Sequence, residues 1–231
     1  MNALPLITLD LFRSAATEFA REMSATPYPH LYGATDGKAV GTALEASFKT
    51  YLQERYHLEV GNAANGLDFP SLNLDLKVTS LKQPQSSCPF RSATQKIYGL
   101  GYNLLVIVYV KRDDPEQRAA FLEIEHVIFV DQERTGDSTL TGEIRRIIET
   151  GQGRPEMEEV VVEELDALLQ DKNLPLDDAS RRELAERLVV DVPKQGVLTI
   201  SNALQWRLQY RRAIVTAATG SIAPQVMELR A

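Results

Sequence analysis

The residues Leu72-Asn73-Leu74-Asp75-Leu76-Lys77-Val78 alternate without a break between apolar and polar side chains. A period of two belongs to a strand with one face on a core and the other open. It forces Asp75 and Lys77 to point the same way. Such a strand needs cover on its leucine face and a neighbour in its sheet. The flanking sequence supplies both. Leu9 to Met23 reads as a short amphipathic helix. Lys38 to Tyr56 reads as a second, with Val40, Leu44, Phe48, Tyr51 and Leu52 at the three-to-four spacing of a buried stripe. Asn103 to Val110 is almost continuously apolar, as expected of a central strand buried on both faces. Ala120 to Val130 supplies another strand or two beyond the turn at Asp113-Asp114-Pro115.

The connections are turn-rich. Pro27, Pro29, Gly33 and Gly37 separate the helices, and Gly61 to Gly66 is a polar loop. Lys82 to Pro89 reads as a loop and Ser92 to Tyr98 as a short helix. Beyond Asp131 the pattern turns mainly helical, over Leu140 to Thr150, Met157 to Leu169 and Asp178 to Leu188. Gly196 to Ile200 is a short strand. A last helix is expected from about Ser201, which with Asn202 is a capping candidate, to Ala217. The fold class is therefore α/β, a central mixed β-sheet flanked by helices. The expected division is a sheet-bearing core over 1–131 and a mainly helical continuation over 132–231, suited to packing, dimerisation and ligand contacts.

A chain of 231 residues with 44% apolar and 25% charged residues can bury a real core. It contains no apolar run long enough to span a membrane. Its first residues carry no basic charge before the apolar stretch, so no secretory signal is expected and a cytoplasmic location is. A single cysteine, Cys88, excludes an internal disulfide and a cysteine-cluster metal site. Cys88 reads as a packing residue. His30, His57 and His126 lack zinc-site spacing. There is no phosphate-binding glycine loop, nucleotide fingerprint or nucleophile elbow.

The net charge of -7 argues at first against a nucleic-acid partner. Its distribution argues otherwise. Ser71 to Arg112 holds six Lys or Arg against one acid, and Ser201 to Ala231 four Arg against one Glu. Gln132 to Val190 holds fifteen acids against eight bases. The acidity lies away from the alternating strand, which leaves a local basic surface free to meet phosphates.

Asp68 precedes the strand by a segment containing Pro70, and proline suits a strand start because it has no amide to give a ladder. A tight turn there brings Asp68 beside Asp75. Two carboxylates can hold a hard divalent ion such as magnesium through oxygen. A lysine beside them can steady a phosphate in flight or assist an attacking water. The same residues are equally compatible with a plain solvated strand face, because Asp-x-Lys is short and common. Glu45 likewise reads either as a member of this group or as a surface residue paired with Lys49.

The order of Glu45 in Gly41-Thr42-Ala43-Leu44-Glu45, then Asp68-Phe69-Pro70-Ser71-Leu72-Asn73-Leu74-Asp75-Leu76-Lys77, resembles the PD-(D/E)xK nuclease superfamily. Within it the segment is most similar to the MutH and Sau3A-type branch. The resemblance covers roughly Lys38 to Val110. It implies a restriction-endonuclease-like fold and a magnesium-dependent endonuclease. It also implies that Asp68 is the metal-bridging aspartate, Asp75 the second acid, Lys77 the catalytic lysine and Glu45 an additional metal-binding glutamate. Asp75 stands where that branch usually has glutamate, so the ion would shift by about a bond length.

In that setting Lys82, Gln83, Gln85, Ser86, Ser87 and Arg91, just past the strand, are candidates for contacts to double-stranded DNA. A proline-stiffened loop with no ligand is the alternative. Lys96, on a polar helical face with Ser92, Thr94 and Gln95, and Arg207 and Arg211 in the last helix are further candidates. The apolar face Val160, Val161, Val162, Leu165, Leu168 and Leu169 packs either within the chain or against a second subunit. Cutting both strands of a palindrome favours a homodimer. The leading expectation is a type II restriction endonuclease. A repair nicking endonuclease and a DNA-binding protein on an inactive nuclease fold are the alternatives.

Overall fold

The computed structural model describes residues 4–58, 61, 66–88, 91–201 and 206–230. In chain order these form α1 (Leu9–Ser24), β1 (Pro27–Tyr28), α2 (Gly37–Gln53), β2 (Leu74–Ser80), β3 (Gln85–Cys88), α3 (Gln95–Tyr98), β4 (Asn103–Asp114) and β5 (Ala119–Val130). There follow α4 (Ser138–Gly151), α5 (Glu158–Asp171), α6 (Asp178–Val190), β6 (Thr199–Ile200), β7 (Trp206–Gln209), α7 (Arg211–Thr219) and β8 (Val226–Glu228). The chain divides into two compact units that interleave along the sequence. One comprises Met1–Ser86, Tyr102–Asp131 and Ala213–Ala231, and the other Ser87–Gly101 and Gln132–Arg212. Among the described residues no helix is long and apolar enough to cross a membrane.

The first unit is built on a mixed sheet in the order β1-β5-β4-β2, with β8 also pairing β5. β2 runs parallel to β4, with Leu76 opposite Leu105 and Lys77 opposite Val106. β4 runs antiparallel to β5, with a register break between Val108 and Tyr109. The apolar run of β4 is explained by this position, since Leu104 through Val108 are all fully buried. β2 is an edge strand, and its outer edge is where the site is assembled.

α1 and α2 cover one side of the sheet. Phe12, Ala15, Ala16, Phe19 and Ala20 of α1 recur at helical spacing and are all buried. Phe12, Phe48 and Phe69 meet edge-on, with Phe12 centred 5.5 Å from Phe48 and 5.0 Å from Phe69. They share a core with Leu74, Leu76, Leu105, Ile107 and Phe129. Phe69 thus anchors the approach to β2 beneath α2. Asp36 caps α2 by accepting the Lys38 amide at 2.9 Å. The helix ends at Gln53, short of the Tyr56 expected from periodicity.

The second unit is mainly helical. Leu140, Ile144, Val161, Val162, Leu165, Leu169, Leu184 and Leu188 of α4, α5 and α6 form one core. The apolar face of α5 is therefore largely spent within the chain, and only Val160 of that group is substantially exposed, at 40%.

Two expectations are corrected. The segment expected as a helix from Ser201 to Ala217 is a strand over Trp206–Gln209 and a helix only over Arg211–Thr219. Leu208 and Tyr210 are fully buried while Arg207 and Gln209 are exposed, a period of two that outweighs the helical spacing of Leu208 and Arg211. Ile200 of β6 pairs with Leu208, and the Ser201 amide is donated to Arg207 O at 3.1 Å instead of opening a helix. Asn202, the other capping candidate, lies outside the described residues. The loop expected over Lys82 to Pro89 contains strand β3 at Gln85–Cys88. Pro89 and residues 62–65 of the polar loop also lie outside the described residues.

Candidate functional site

A short return brings Asp68 to β2. Pro70–Leu72 form a 3₁₀ turn, and Asn73 closes it in the left-handed region at φ 47°. Asparagine tolerates that conformation better than most side chains. Phe69 and Leu74 then exchange backbone hydrogen bonds of 3.0 and 3.2 Å across the turn. As an edge strand, β2 directs the Leu76 amide out of the sheet, and Asp68 Oδ2 accepts it at 3.0 Å. Asp68 thus satisfies an amide that no neighbouring strand reaches, which fixes its carboxyl against the strand.

Leu74 and Leu76 enter the core beneath the helices, so Asp75 and Lys77 project from the other side. Their Nζ–Oδ2 separation is 2.6 Å. The expected open face is not open at Asp75, which is only 6% exposed. The Asp68 and Asp75 carboxyls lie within hydrogen-bonding range of each other. Burial pushes Asp75 up to about 6, with the Lys77 ammonium opposing the rise and the Asp68 carboxyl adding to it. Burial pushes Asp68 up as well. Hydrogen bonds from Asp75, Lys49 and the Leu76 amide outweigh it and hold that carboxyl below the usual range. The two aspartates therefore divide into one held ionised and one that keeps its proton longer.

The third carboxylate arrives through a lysine. Lys49 Nζ lies 2.6 Å from Glu45 Oε1, one helical turn back on α2, and 2.6 Å from Asp68 Oδ1. Burial lowers the proton affinity of Lys49, but Asp68 and Glu45 overcome it and raise the amine above its ordinary value. Sequence reading supplied Lys49 only as a surface partner of Glu45. The spacing from Glu45 was visible, whereas its link to Asp68 spans 19 positions and exists only in the folded chain.

The donor set suits a hard cation in part. Asp68 and Asp75 present crowded carboxylate oxygens, the ligand type a magnesium-sized ion takes. Glu45 is turned to Lys49. Among the described residues no group of three or more His, Cys, Asp or Glu side chains is arranged to hold a metal ion.

Past Lys77, the buried Thr79 fastens the loop that follows. Its hydroxyl accepts the Gln85 amide at 3.1 Å and lies 3.1 and 3.3 Å from the carbonyl oxygens of Gln85 and Gln83. Lys82, Gln83 and Ser87 are exposed there and Gln85 and Ser86 half-buried. Arg91, Arg207 and Arg211 are also exposed. Lys96 does not stand on an open polar face. It is 6% exposed, in the wall of a cavity of about 310 Å³ that also includes Asp137, Lys172 and Thr199. Burial holds the Lys96 amine below its ordinary value, with the Asp137 charge opposing.

Comparison with known proteins gives two matches. The family model described as "Type II restriction enzyme NspV" matches residues 6–223. A protein named Type II restriction enzyme NspV, from Nostoc sp., is 48% identical over 214 residues, covering 93% of this chain and 94% of the Nostoc protein. No solved structure matches the chain.

Proposed function

Because the chain belongs to the family of the type II restriction enzyme NspV, we propose that Asp68, Asp75 and Lys77 form the centre with which it hydrolyses DNA. It is a type II restriction endonuclease. The finer reading is a magnesium-dependent cut in duplex DNA at a short specific sequence, by a PD-(D/E)xK centre of the MutH and Sau3A-type branch. The observation that carries it is the Asp68–Asp75 carboxyl pair with Lys77 Nζ 2.6 Å from Asp75 Oδ2.

Asp68 and Asp75 would hold the ion, with Glu45, joined to Asp68 through Lys49, as a further carboxylate. When bound, a divalent ion supplies polarisation of the scissile phosphate, a more acidic water and a sink for developing charge. The remaining work falls to protein groups. The Leu76 amide fixes the Asp68 carboxylate. The Lys77 ammonium, oriented by Asp75, meets the charge that builds on the phosphate oxygens or orients the attacking water. Lys82, Gln83, Gln85, Ser86, Ser87 and Arg91 are the proposed DNA contacts from the adjoining segment, with Arg207 and Arg211 as phosphate contacts. The buried Lys96 would serve only through its cavity. Cleavage of both strands of a symmetric site favours a homodimer, and the substrate favours a cytoplasmic location.

The test is digestion of mixed-sequence duplex DNA with magnesium, followed by sequencing of the ends. Double-strand cuts at one repeated sequence are expected, and strand-selective nicks would replace restriction with repair. Asp75→Ala and Lys77→Ala should each lower the cleavage rate by at least about a hundredfold, the loss typical of removing a group that stabilises developing charge. Folded variants that still cut at the native rate would remove these residues from the centre.

A further inference from the structure

We infer that Lys49 is the resident cation of this centre and that a divalent ion enters by displacing its ammonium from Asp68. The inference deepens the metal-centre reading and rests on it. Lys49 Nζ sits between two of the three carboxylates assigned to the ion, 2.6 Å from Glu45 Oε1 and 2.6 Å from Asp68 Oδ1. The side chains of Lys49 and Asp68 are only 21% and 18% exposed, so the pair is poorly screened by solvent. Lys77 neutralises Asp75 in the same way. The three carboxylates Glu45, Asp68 and Asp75 thus face the two ammoniums of Lys49 and Lys77, and a cation joining them meets a site already largely neutralised.

The geometry also states where Lys49 goes. It lies one turn from Glu45 on the same helix, so it can release Asp68 and keep Glu45. Asp68 cannot follow, because its other oxygen is fixed by the Leu76 amide. Exchange therefore needs only a rotation of the lysine stem. The Lys49–Asp68 pair holds the carboxylates together while no ion is bound, and it weakens ion binding as a consequence. Lys49 is on this account a positioning residue that acts through Asp68.

The experiment uses the full chain without DNA and titrates magnesium alone, then manganese alone, by calorimetry. Lys49→Met removes the charge and keeps most of the stem, and Lys49→Gln is a second neutral variant should the first fold poorly. Both should bind the ion about tenfold more tightly than the native protein, and both should melt at a lower temperature in chelator. Lys49→Arg, which keeps the charge, should bind as weakly as the native chain. A merely structural lysine would give the opposite sign, because its loss would disorder the ligands and weaken binding. Unchanged or weaker binding in both neutral variants, with the native protein still binding, would overturn the exchange and leave the metal centre standing. Absence of binding in the native chain and in both neutral variants would overturn the metal centre and the exchange together.

Discussion

The carboxyls of Asp68 and Asp75 lie within hydrogen-bonding range of each other although only Asp75 belongs to the strand. The contact depends on the turn at Pro70–Leu72 and on the edge position of β2, which leaves the Leu76 amide free to take Asp68. Burial at Asp75 then makes the pair costly in its doubly ionised form. That cost has a consequence for stability that can be measured without DNA.

Burial, aided by Asp68 and opposed by Lys77, raises Asp75 from 3.8 to about 6 in the folded chain. A raised carboxyl stabilises the fold below its unfolded value, and the contribution disappears as pH rises through the folded one. Between pH 4 and pH 7 the loss is about 2 kcal/mol. Asp68, held low, works in the other direction, so the native profile mixes the two. Asp75→Asn isolates the first. In chelator, the stability of Asp75→Asn relative to the native protein should climb by about 2–3 kcal/mol from pH 4 to pH 7, measured by urea unfolding. A difference that stays level across that range would refute the assignment.

Much of the frame was legible because local chemistry and tertiary structure agree there. The alternation around Leu74 and Leu76 encodes β2, and the unbroken apolar run through Val106 encodes an interior strand. The turn that returns Asp68 could be anticipated from Pro70. Other features were settled by contacts that spacing does not encode. The burial of Asp75 arises from its folded surroundings, whereas an open strand face would have read identically. The bridge from Lys49 to Asp68 joins a helix to a turn. At Trp206–Gln209 two periods competed, and pairing with β6 decided for the strand. Lys96 looked like a surface cation in the sequence, and burial beside Asp137 removes it from that role.

Thr79 should connect β2 to the segment proposed to touch DNA. Its hydroxyl takes the Gln85 amide and faces the Gln83 and Gln85 carbonyls, and the residue is 6% exposed. Thr79→Val keeps the shape and leaves the half-buried Gln85 amide without its acceptor, at a cost of about 1 kcal/mol. Amide exchange at Gln85 should accelerate while exchange in β4 stays slow. Cleavage of sequences one base away from the preferred site should rise relative to the preferred one. A variant with native exchange at Gln85 and native discrimination would leave Thr79 without a positioning role.

In the helical unit the corresponding anchor is Asp137. Its Oδ1 accepts the Thr139 and Leu140 amides at 3.0 and 2.9 Å, capping α4, and its Oδ2 accepts the Ile200 amide at 2.7 Å. One buried side chain therefore ties a helix start to a strand. Asp137→Ala removes the cap and strands the Ile200 amide, which together should cost about 2–4 kcal/mol. Asp137→Ser retains a hydroxyl for the cap and nothing for Ile200, so it should recover only part of that loss. Lys96 gives a second readout. Its charged neighbour is gone in either variant, so the buried amine should become harder to protonate. Unfolding midpoints and the lysine titration, followed in both variants, separate the structural loss from the electrostatic one. Equal stability of Asp137→Ala and the native protein would show that the cap and the Ile200 tie contribute nothing to this unit.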